Sequence, residues 1–441
     1  MRLSERTHVI EGKTGVFMYN SVNGEKCKLS WENYHNLLFA LKEEETDAKK
    51  QLNWFFEKGM IEGATKEAKN DCHYYPPTEA MLEKARTGIH ISNLRLNVTH
   101  NCNLCCSYCF ESNSKQYMGH QTMDRETAQK AIDIFLQLLK KNGRNEGNVR
   151  FFGGEPLLNY PLIVYLVNYV KSTKPADMQI RYIVNTNGTL ITDEMAEYFC
   201  ENDIQVVVSM DGVGITNDYY RIDRDGKGSF ERVDRGLRCL LMHHCSVDIA
   251  TVVNESNLNL LGEIVDYVCD LNAKFFCECG LALSYVHITH EETKTKSADR
   301  VLKIMEAIKK ARQRGVNCYG GFTHQVFQNM MSPNGGRHCV CLGAELSVMP
   351  DGKIYPCDGL QIELGSIDAI DQALRSDEYT NLLRRTCGFE KKCHGCEIEY
   401  YCAGGCYADY MSDDGKPPNT CRDRKFQVLL FQELVREYLL S

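Results

Sequence analysis

The stretch Leu94-Arg95-Leu96-Asn97-Val98, followed by Thr99-His100-Asn101-Cys102-Asn103-Leu104-Cys105-Cys106-Ser107-Tyr108-Cys109-Phe110, decides how the chain is read. Its first five residues read as a strand, and the loop after it spaces three cysteines as Cys102-x3-Cys106-x2-Cys109. Thiolates this close do not readily pair into a disulfide, but they can converge on one soft metal centre. A cubane [4Fe–4S] cluster takes four cysteine thiolates, one per iron. Three supplied locally would leave one iron open to an exchangeable ligand. A zinc knuckle or a group of buried thiols is the alternative reading of the spacing.

Around this loop, strand and helix patterns alternate from about residue 90 to 325. Strands are predicted at Leu94–Val98, Val149–Phe152, Ile180–Val184, Val206–Ser209, Val247–Val253 and Phe275–Leu283. Helices fall between them at Ala128–Leu139, Leu162–Val170, Glu194–Cys200, Phe230–Met242 and Leu258–Cys269. Such alternation gives an α/β fold with a parallel sheet, and six units predict an open, partial (β/α)6 barrel. Upstream, short strands at Val9-Ile10, Val16–Tyr19 and Lys26–Leu29 surround an Asn23-Gly24 hairpin turn. Ser30 caps a helix carrying Trp31, Tyr34, Leu37, Leu38 and Leu41, and a second helix runs from Asp47 to Lys58 with Gly59 as its C-cap. Three strands then two helices make a small winged-helix-like module over residues 1–85. Residues 86–330 hold the barrel, and 331–441 a cysteine-dense region closed by an amphipathic helix at Phe426–Leu440. Glu43-Glu44-Glu45 reads as a solvated helix junction.

The composition suits this organisation. The chain has 441 residues, 43% apolar and 25% charged, with a formal charge of −8, which argues against a nucleic-acid partner. No apolar run reaches the ~20 residues of a membrane helix, and Met1–Arg6 leads into no signal-peptide core. A cytoplasmic location is therefore expected, with no membrane partner. There, 22 cysteines do not form a disulfide framework. Ten fall into spaced motifs that point to metal clusters, while others such as Cys200, Cys239, Cys245 and Cys269 read as small buried hydrophobes.

Function in a parallel α/β fold gathers where strands end. The second predicted strand ends in Gly153-Gly154-Glu155-Pro156, whose glycines permit close backbone approach to a ligand and whose glutamate offers an anion. The third ends in Asn185-Thr186-Asn187-Gly188 and the fourth in Ser209-Met210-Asp211-Gly212, small polar groups suited to ribose hydroxyls and a carboxylate. Tyr220-Arg221 and Gly226-Lys227-Gly228-Ser229-Phe230 follow. A second array reads Cys341-x10-Gly352-x4-Cys357, then Cys393-x2-Cys396-x5-Cys402-x3-Cys406, then Cys421. Cys-x2-Cys pairs of this kind also build structural zinc sites.

The first cysteine loop resembles the cluster-binding loop of the radical S-adenosylmethionine (SAM) superfamily, and the second array resembles the SPASM extension of those enzymes. The resemblance covers roughly residues 93–421. It implies that Cys102, Cys106 and Cys109 hold a catalytic [4Fe–4S] cluster whose open iron is chelated by SAM. It also implies that Gly153, Gly154 and Glu155 bind the SAM amino group, that Asn187, Ser209 and Asp211 lie near its ribose and methionine parts, and that Arg221 meets its carboxylate. Tyr108 would edge the adenine or pack beneath the loop. Cys393, Cys396, Cys402 and Cys421 would hold one auxiliary [4Fe–4S] cluster. Cys341, Cys357 and Cys406 would hold the other, for three clusters in all. Its fourth ligand is either Cys339 or, as the favoured expectation, a substrate thiolate at an open iron; His338 reads as a bystander.

The reaction implied is one-electron cleavage of SAM to a 5′-deoxyadenosyl radical that removes a substrate hydrogen atom, with an electron donor such as flavodoxin or ferredoxin. The N-terminal module resembles the leader-recognition element of ribosomal-peptide maturation enzymes, which add a leader segment to an exposed sheet edge. The expected partner is thus a precursor peptide, and the expected product an intramolecular cysteine thioether, as in sactipeptide or ranthipeptide synthases. An anaerobic sulfatase-maturating enzyme is the runner-up, although that family ordinarily lacks the module; a carbon–carbon crosslinker or an epimerase also fits. A non-enzymatic zinc protein that binds peptides is the alternative of another class.

Overall fold

The computed structural model describes residues 1–42, 46–62, 76–109, 121–285, 295–331, 337–408, 421 and 424–441. Phe110 and the Glu43-Glu44-Glu45 junction lie outside these. The N-terminal part contains β1 (Arg2–Leu3), β2 (Thr7–Gly12), β3 (Gly15–Asn20), β4 (Lys26–Leu29), α1 (Trp31–Lys42), α2 (Thr46–Glu57) and β5 (Ile61–Glu62). β2, β3 and β4 form the expected antiparallel three-stranded sheet, and β1 pairs with β5 in a small second sheet that the sequence did not suggest. Ser30 accepts from Asn33 N at 3.2 Å, and Gly59 takes the left-handed conformation (φ +66°) past α2, so both caps form as read.

Helix α3 (Glu79–Arg86) leads into the alternating region: β6 (Asn93–Thr99), α4 (Arg125–Lys141), β7 (Glu146–Gly153), α5 (Tyr160–Thr173), β8 (Gln179–Thr186), α6 (Asp193–Glu201), β9 (Ile204–Ser209), α7 (Ile215–Asp218), α8 (Phe230–Met242), β10 (Val247–Val253), α9 (Leu261–Phe275), β11 (Gly280–Tyr285), α10 (Ser297–Gln313), β12 (Cys318–Tyr319) and α11 (Gly321–Met331). Strands β6 to β12 lie side by side in chain order, every neighbouring pair parallel. The six expected units are present, and short β12 adds a seventh strand at one edge. One boundary is corrected. Phe275 ends α9, Phe276 turns left-handed (φ +52°) with its ring 93% exposed, and the strand starts only at Gly280.

The last segment holds β13 (Glu345–Val348), β14 (Lys353–Tyr355), β15 (Gly365–Ser366), α12 (Ile370–Ala373), α13 (Asp377–Arg384), α14 (Glu399–Cys402) and α15 (Arg424–Leu439). β13 pairs in parallel with β6, so the barrel sheet runs on without a break into the cysteine-dense region and reaches ten strands.

Period-two burial explains the barrel. On β7, Val149 and Phe151 are fully buried towards the helices, while Asn148, Arg150 and Phe152 are half-buried on the opposite, concave face. The N-terminal sheet packs the same way. Val16 and Met18 face its own helices, whereas Phe17 and Tyr19 join the main core. Tyr19 stacks near Tyr401 (5.8 Å) and edge-on to Phe431 of α15 (5.5 Å). Helix α15 thus ties the first residues, the barrel helices and the cysteine-dense region together. Among the described residues, no helix is long and apolar enough to cross a membrane.

Candidate active site

The loop after β6 is clamped on two sides. Gly154 N donates to Thr99 O (2.9 Å) and Glu155 N to Asn101 O (2.7 Å), while Cys105 N donates to Ile222 O (2.7 Å) and Ser107 N to Tyr220 O (3.2 Å). Residues that follow β7 and β9 therefore fix the backbone from which Cys102, Cys106 and Cys109 project. Gly153 and Gly154 have a role the sequence did not reveal. A Cβ on Gly154 would sit 2.3 Å from Asn101 O, and one on Gly153, at φ +137°, would sit 2.2 Å from Thr99 O. Both glycines make room for the end of β6 and the cluster loop that follows it.

Glu155 is fully buried, and its carboxylate accepts from Thr186 Oγ1 (2.7 Å), Asn187 N (2.7 Å) and Leu157 N (3.0 Å). Burial pushes its carboxyl up to about 7 against the pull of these donors. In this structure it is a strut between the ends of β7 and β8. Asn187, held by that strut, donates from Nδ2 to Asn103 Oδ1 (2.9 Å) and lies 3.8 Å from Cys102 Sγ. Asn103 in turn donates to Thr189 Oγ1 (2.8 Å). Asn103, Thr186 and Thr189 were missed as site residues, although Asn103 stands inside the cysteine loop.

Asp211 is also buried. Its carboxylate accepts from the Tyr108 hydroxyl, Val252 N (3.0 Å) and Arg221 Nη2 (3.3 Å), and pairs with the same guanidinium at 3.0 Å. Arg221 lies over the Tyr108 ring at 5.6 Å. Burial alone would depress Arg221; the Asp211 carboxylate outweighs it and holds the guanidinium above its usual value. Tyr108, Asp211 and Arg221 thus form one buried knot beneath the loop, the packing role weighed for Tyr108. Ser209 ends β9 half-buried beside Ala250 of β10. Arg224 reaches the carbonyl of Cys102 at 3.4 Å, a further contact the motifs did not signal.

Burial raises the Cys102 thiol to about 12 and that of Cys106 to about 11, so metal loading must displace protons. In the second array, Cys393, Cys396, Cys402 and Cys421 line one small cavity with Ile398, Glu399 and Arg424. Cys402 is driven well above the usual thiol range by burial and then by the other three sulfurs. Cys341 is raised first by hydrogen bonding with Cys339, and Cys357 first by hydrogen bonding with Cys341, so these three thiols are neighbours. Ala408 lies 3.1 Å from the Cβ position of Gly359, which sets the segment after Cys406 beside the one after Cys357.

Tetrahedral zinc with Zn–S near 2.3 Å needs sulfurs about 3.8 Å apart. Among the described residues, the one group of three ligands within 4.8 Å of each other is Asp193, Cys239 and His243, which belongs to neither array. The wider thiol sets, four of them around a cavity, fit iron–sulfur cubanes better than single zinc ions.

The barrel and the second array share a buried ion network. Arg95 of β6 pairs with Asp358 (2.5 Å) and Glu345 (2.9 Å), and Asn97 and Ser347 both donate to Asp358 Oδ1 (2.7 and 2.6 Å). Asp358 directly follows Cys357, so the first barrel strand and the auxiliary thiols are held in one register.

Comparisons with known proteins agree with this geometry. Residues 96–268 match the radical SAM superfamily, and residues 339–397 match the SPASM iron–sulfur cluster-binding domain. The chain is 25% identical over 433 residues to the radical SAM cyclopropyl synthase TigE of Paramaledivibacter caminithermalis, spanning 92% of this chain and 89% of that one. It is 25% identical over 339 residues to the cysteine-type anaerobic sulfatase-maturating enzyme of Clostridium novyi, spanning 72% and 87%. Its fold resembles SuiB of Streptococcus suis bound to the precursor peptide SuiA (TM-score 0.55, 18% identity, 96% of this chain and 99% of that one). It also resembles anSMEcpe with bound AdoMet and the Cp18Cys peptide (TM-score 0.61, 20% identity, 78% and 96%). The chain belongs to the radical SAM superfamily, as a member with a SPASM domain, and its cofactors are SAM and multiple [4Fe–4S] clusters.

Proposed function

We propose that the protein modifies a ribosomally synthesised precursor peptide and forms intramolecular cysteine thioether bonds. Cys102, Cys106 and Cys109 would hold the SAM-binding cluster, and the other array two auxiliary clusters. When bound, these groups supply a 5′-deoxyadenosyl radical that removes one substrate hydrogen atom and an acceptor for the second electron. The chain's own residues position and enclose: the Glu155 strut and the Tyr108–Asp211–Arg221 knot fix the rim, and the half-buried faces of β7 to β11 form the wall around the substrate. SAM would be met by Asn187, Ser209, Asp211 and Arg221.

The observation that carries the peptide reading is the N-terminal sheet. β4 pairs with β3 on one side and, among the described residues, with no strand on the other. Such an edge can take a leader segment as an added strand, and docking through Tyr19 onto the SPASM side would hold the leader near the barrel. The similarity to SuiB extends over 96% of this chain, against 78% for anSMEcpe, which favours a leader-guided maturase over a sulfatase-maturating one. The leader-recognition module (1–85), the barrel (86–330), the SPASM region (331–441), a flavodoxin- or ferredoxin-type donor and a cytoplasmic location complete the reading.

The test is anaerobic reconstitution with a candidate precursor peptide, sought as a short cysteine-containing reading frame beside this gene. A thioether removes two hydrogens per bond and leaves that cysteine resistant to alkylation. Formylglycine at a cysteine would instead point to the sulfatase-maturating reaction. Hydrogen exchange should show the amides of Cys27–Leu29 protected by the leader; unchanged exchange there would remove the β4 edge as its seat.

A further inference from the structure

Three arginines stand half-buried or buried in or beside the concave face of the barrel, with Arg181 of β8 exposed near its lower end, and two of the three have carboxylate partners. Arg95 has Asp358 and Glu345, and Arg221 has Asp211. Arg150, the third, donates from Nη1 to the neutral Asn185 Oδ1 at 2.7 Å and has no ion pair within 4.0 Å among the described residues. It sits mid-strand on β7, in register with Arg95 on one neighbour and Ile183 on the other. Burial lowers its affinity for a proton and the adjacent Arg95 lowers it further, opposed in part by Glu345 and Asp358, whose carboxylates are in contact with Arg95 rather than with Arg150. Its field reaches Cys341 of the auxiliary array and Tyr319 of β12, at the far edge of the parallel strands. The guanidinium therefore faces the space the strands enclose. The nearby acid on that face, Asp248, is already engaged by Gln205 and by Tyr319.

A half-buried cation with no carboxylate in contact is only partly compensated, and a ligand can supply the direct partner. The planar fork of an arginine suits a carboxylate above other anionic groups of peptides. We propose that Arg150, oriented by Asn185, binds a carboxylate of the substrate peptide, from an Asp or Glu side chain or from its C-terminus, and so selects the residue presented inside the barrel. This rests on the peptide-modifying reading. The SAM carboxylate is the other source of the same chemistry. Arg150 lies three residues before the end of β7, about 10 Å down the strand from the rim where Gly153 meets the cluster loop. That depth favours the peptide.

The test uses the cluster-loaded, full-length enzyme with SAM, a reductant and capped pentapeptides of alanine whose central residue is Asp, Glu, Asn or Gln. Peptide-dependent release of 5′-deoxyadenosine is followed. Half-saturation by the Asp or Glu peptides is expected at about 10- to 100-fold lower concentration than by the amide peptides, the range of one charge-assisted contact. Arg150→Gln should erase that preference and Arg150→Lys should keep part of it, with iron content and SAM affinity at wild-type values in both. Equal half-saturation of the wild type by acidic and amide peptides overturns the proposal while leaving the peptide reading intact. Loss of SAM affinity in both variants would reassign Arg150 to the SAM carboxylate, and loss of iron would reassign it to balancing the auxiliary cluster. No response to any peptide, with the precursor's leader segment added in trans, would refute the peptide reading and this proposal with it.

Discussion

Replacing Gly154 with alanine should disable SAM cleavage by a route that leaves every cysteine in place. The added Cβ would lie 2.3 Å from Asn101 O, 2.6 Å from Asn101 C and 2.7 Å from His100 O, all main-chain atoms that cannot rotate aside. Ordinary contact begins near 3.4 Å, so the loop must retreat by about 1 Å. Gly154 does not have a positive φ, so the cost arises from this contact and not from backbone strain. Overpacking of this kind costs about 1–3 kcal/mol. The bonds Gly154 N to Thr99 O and Glu155 N to Asn101 O are strained with it, at about 0.5–1.5 kcal/mol each. The sum is about 2–6 kcal/mol, concentrated one residue before Cys102.

A displacement of 1 Å at reacting groups can reduce rate by about 100-fold. Deoxyadenosine release should therefore fall at least that far, and the spectrum of the SAM-binding cluster should broaden or disappear. Iron attributable to the SPASM thiols should stay. Gly143→Ala is the control, because that glycine adopts φ +64° with nothing within 4 Å of its Cβ position. It should lose a little stability and no cluster. Wild-type cluster content and SAM cleavage in Gly154→Ala would show that the loop is not held by this contact, and the reasoning would fail.

Three further outcomes follow from the same geometry. Substituting Cys102, Cys106 and Cys109 together by alanine should leave about two-thirds of the iron, if ten motif thiolates serve three equal clusters, and should abolish deoxyadenosine release; full SAM cleavage without them would sink the site. Glu155→Gln replaces an acceptor facing Asn187 N with a donor, and should cost about 2–4 kcal/mol at mildly acid pH. Because the carboxyl is raised above its unfolded value to about 7, its stabilising contribution is fully present below pH ~4.5 and is lost as pH rises through 7. The wild type's advantage over Glu155→Gln in thermal unfolding should shrink accordingly between those values, and a constant difference would contradict it. Cys339→Ala decides the fourth ligand of the cluster at Cys341, which it neighbours: retained iron and crosslinking are expected for the open iron favoured from sequence, and loss of that cluster would make Cys339 the ligand.

The barrel was readable because its signals are local. Strands of period two end at glycine or small polar residues, and those ends carry the motifs, so Gly153, Asn187, Ser209 and Asp211 could be placed before any contact was known. The error at Phe275 has a local cause as well. Phe275-Phe276-Cys277 is an apolar run too short to reveal its period, and the helix end was mistaken for a strand start. The role of the two glycines was not readable, because the atoms they avoid come from a loop some fifty residues earlier. Nor could the buried state of Glu155 be seen, since its three donors lie on two different strand ends.

The deepest gap lies between β6 and β13. Arg95 and Glu345 are 250 residues apart, and neither belongs to a cysteine motif. Parallel pairing of the two strands sets Ser347 beside Arg95, and Asp358 then closes on Arg95 and Asn97 from the turn that carries Cys357. The first barrel strand therefore leads at its end to the SAM-cluster loop and is tied along its length to the auxiliary thiols. A rigid connection of this kind fixes the distance between two metal sites without any residue touching both. Arg150, the next strand's counterpart of Arg95, lies within the space so framed, and with no carboxylate in contact it is the group to which the proposal assigns the substrate's carboxylate.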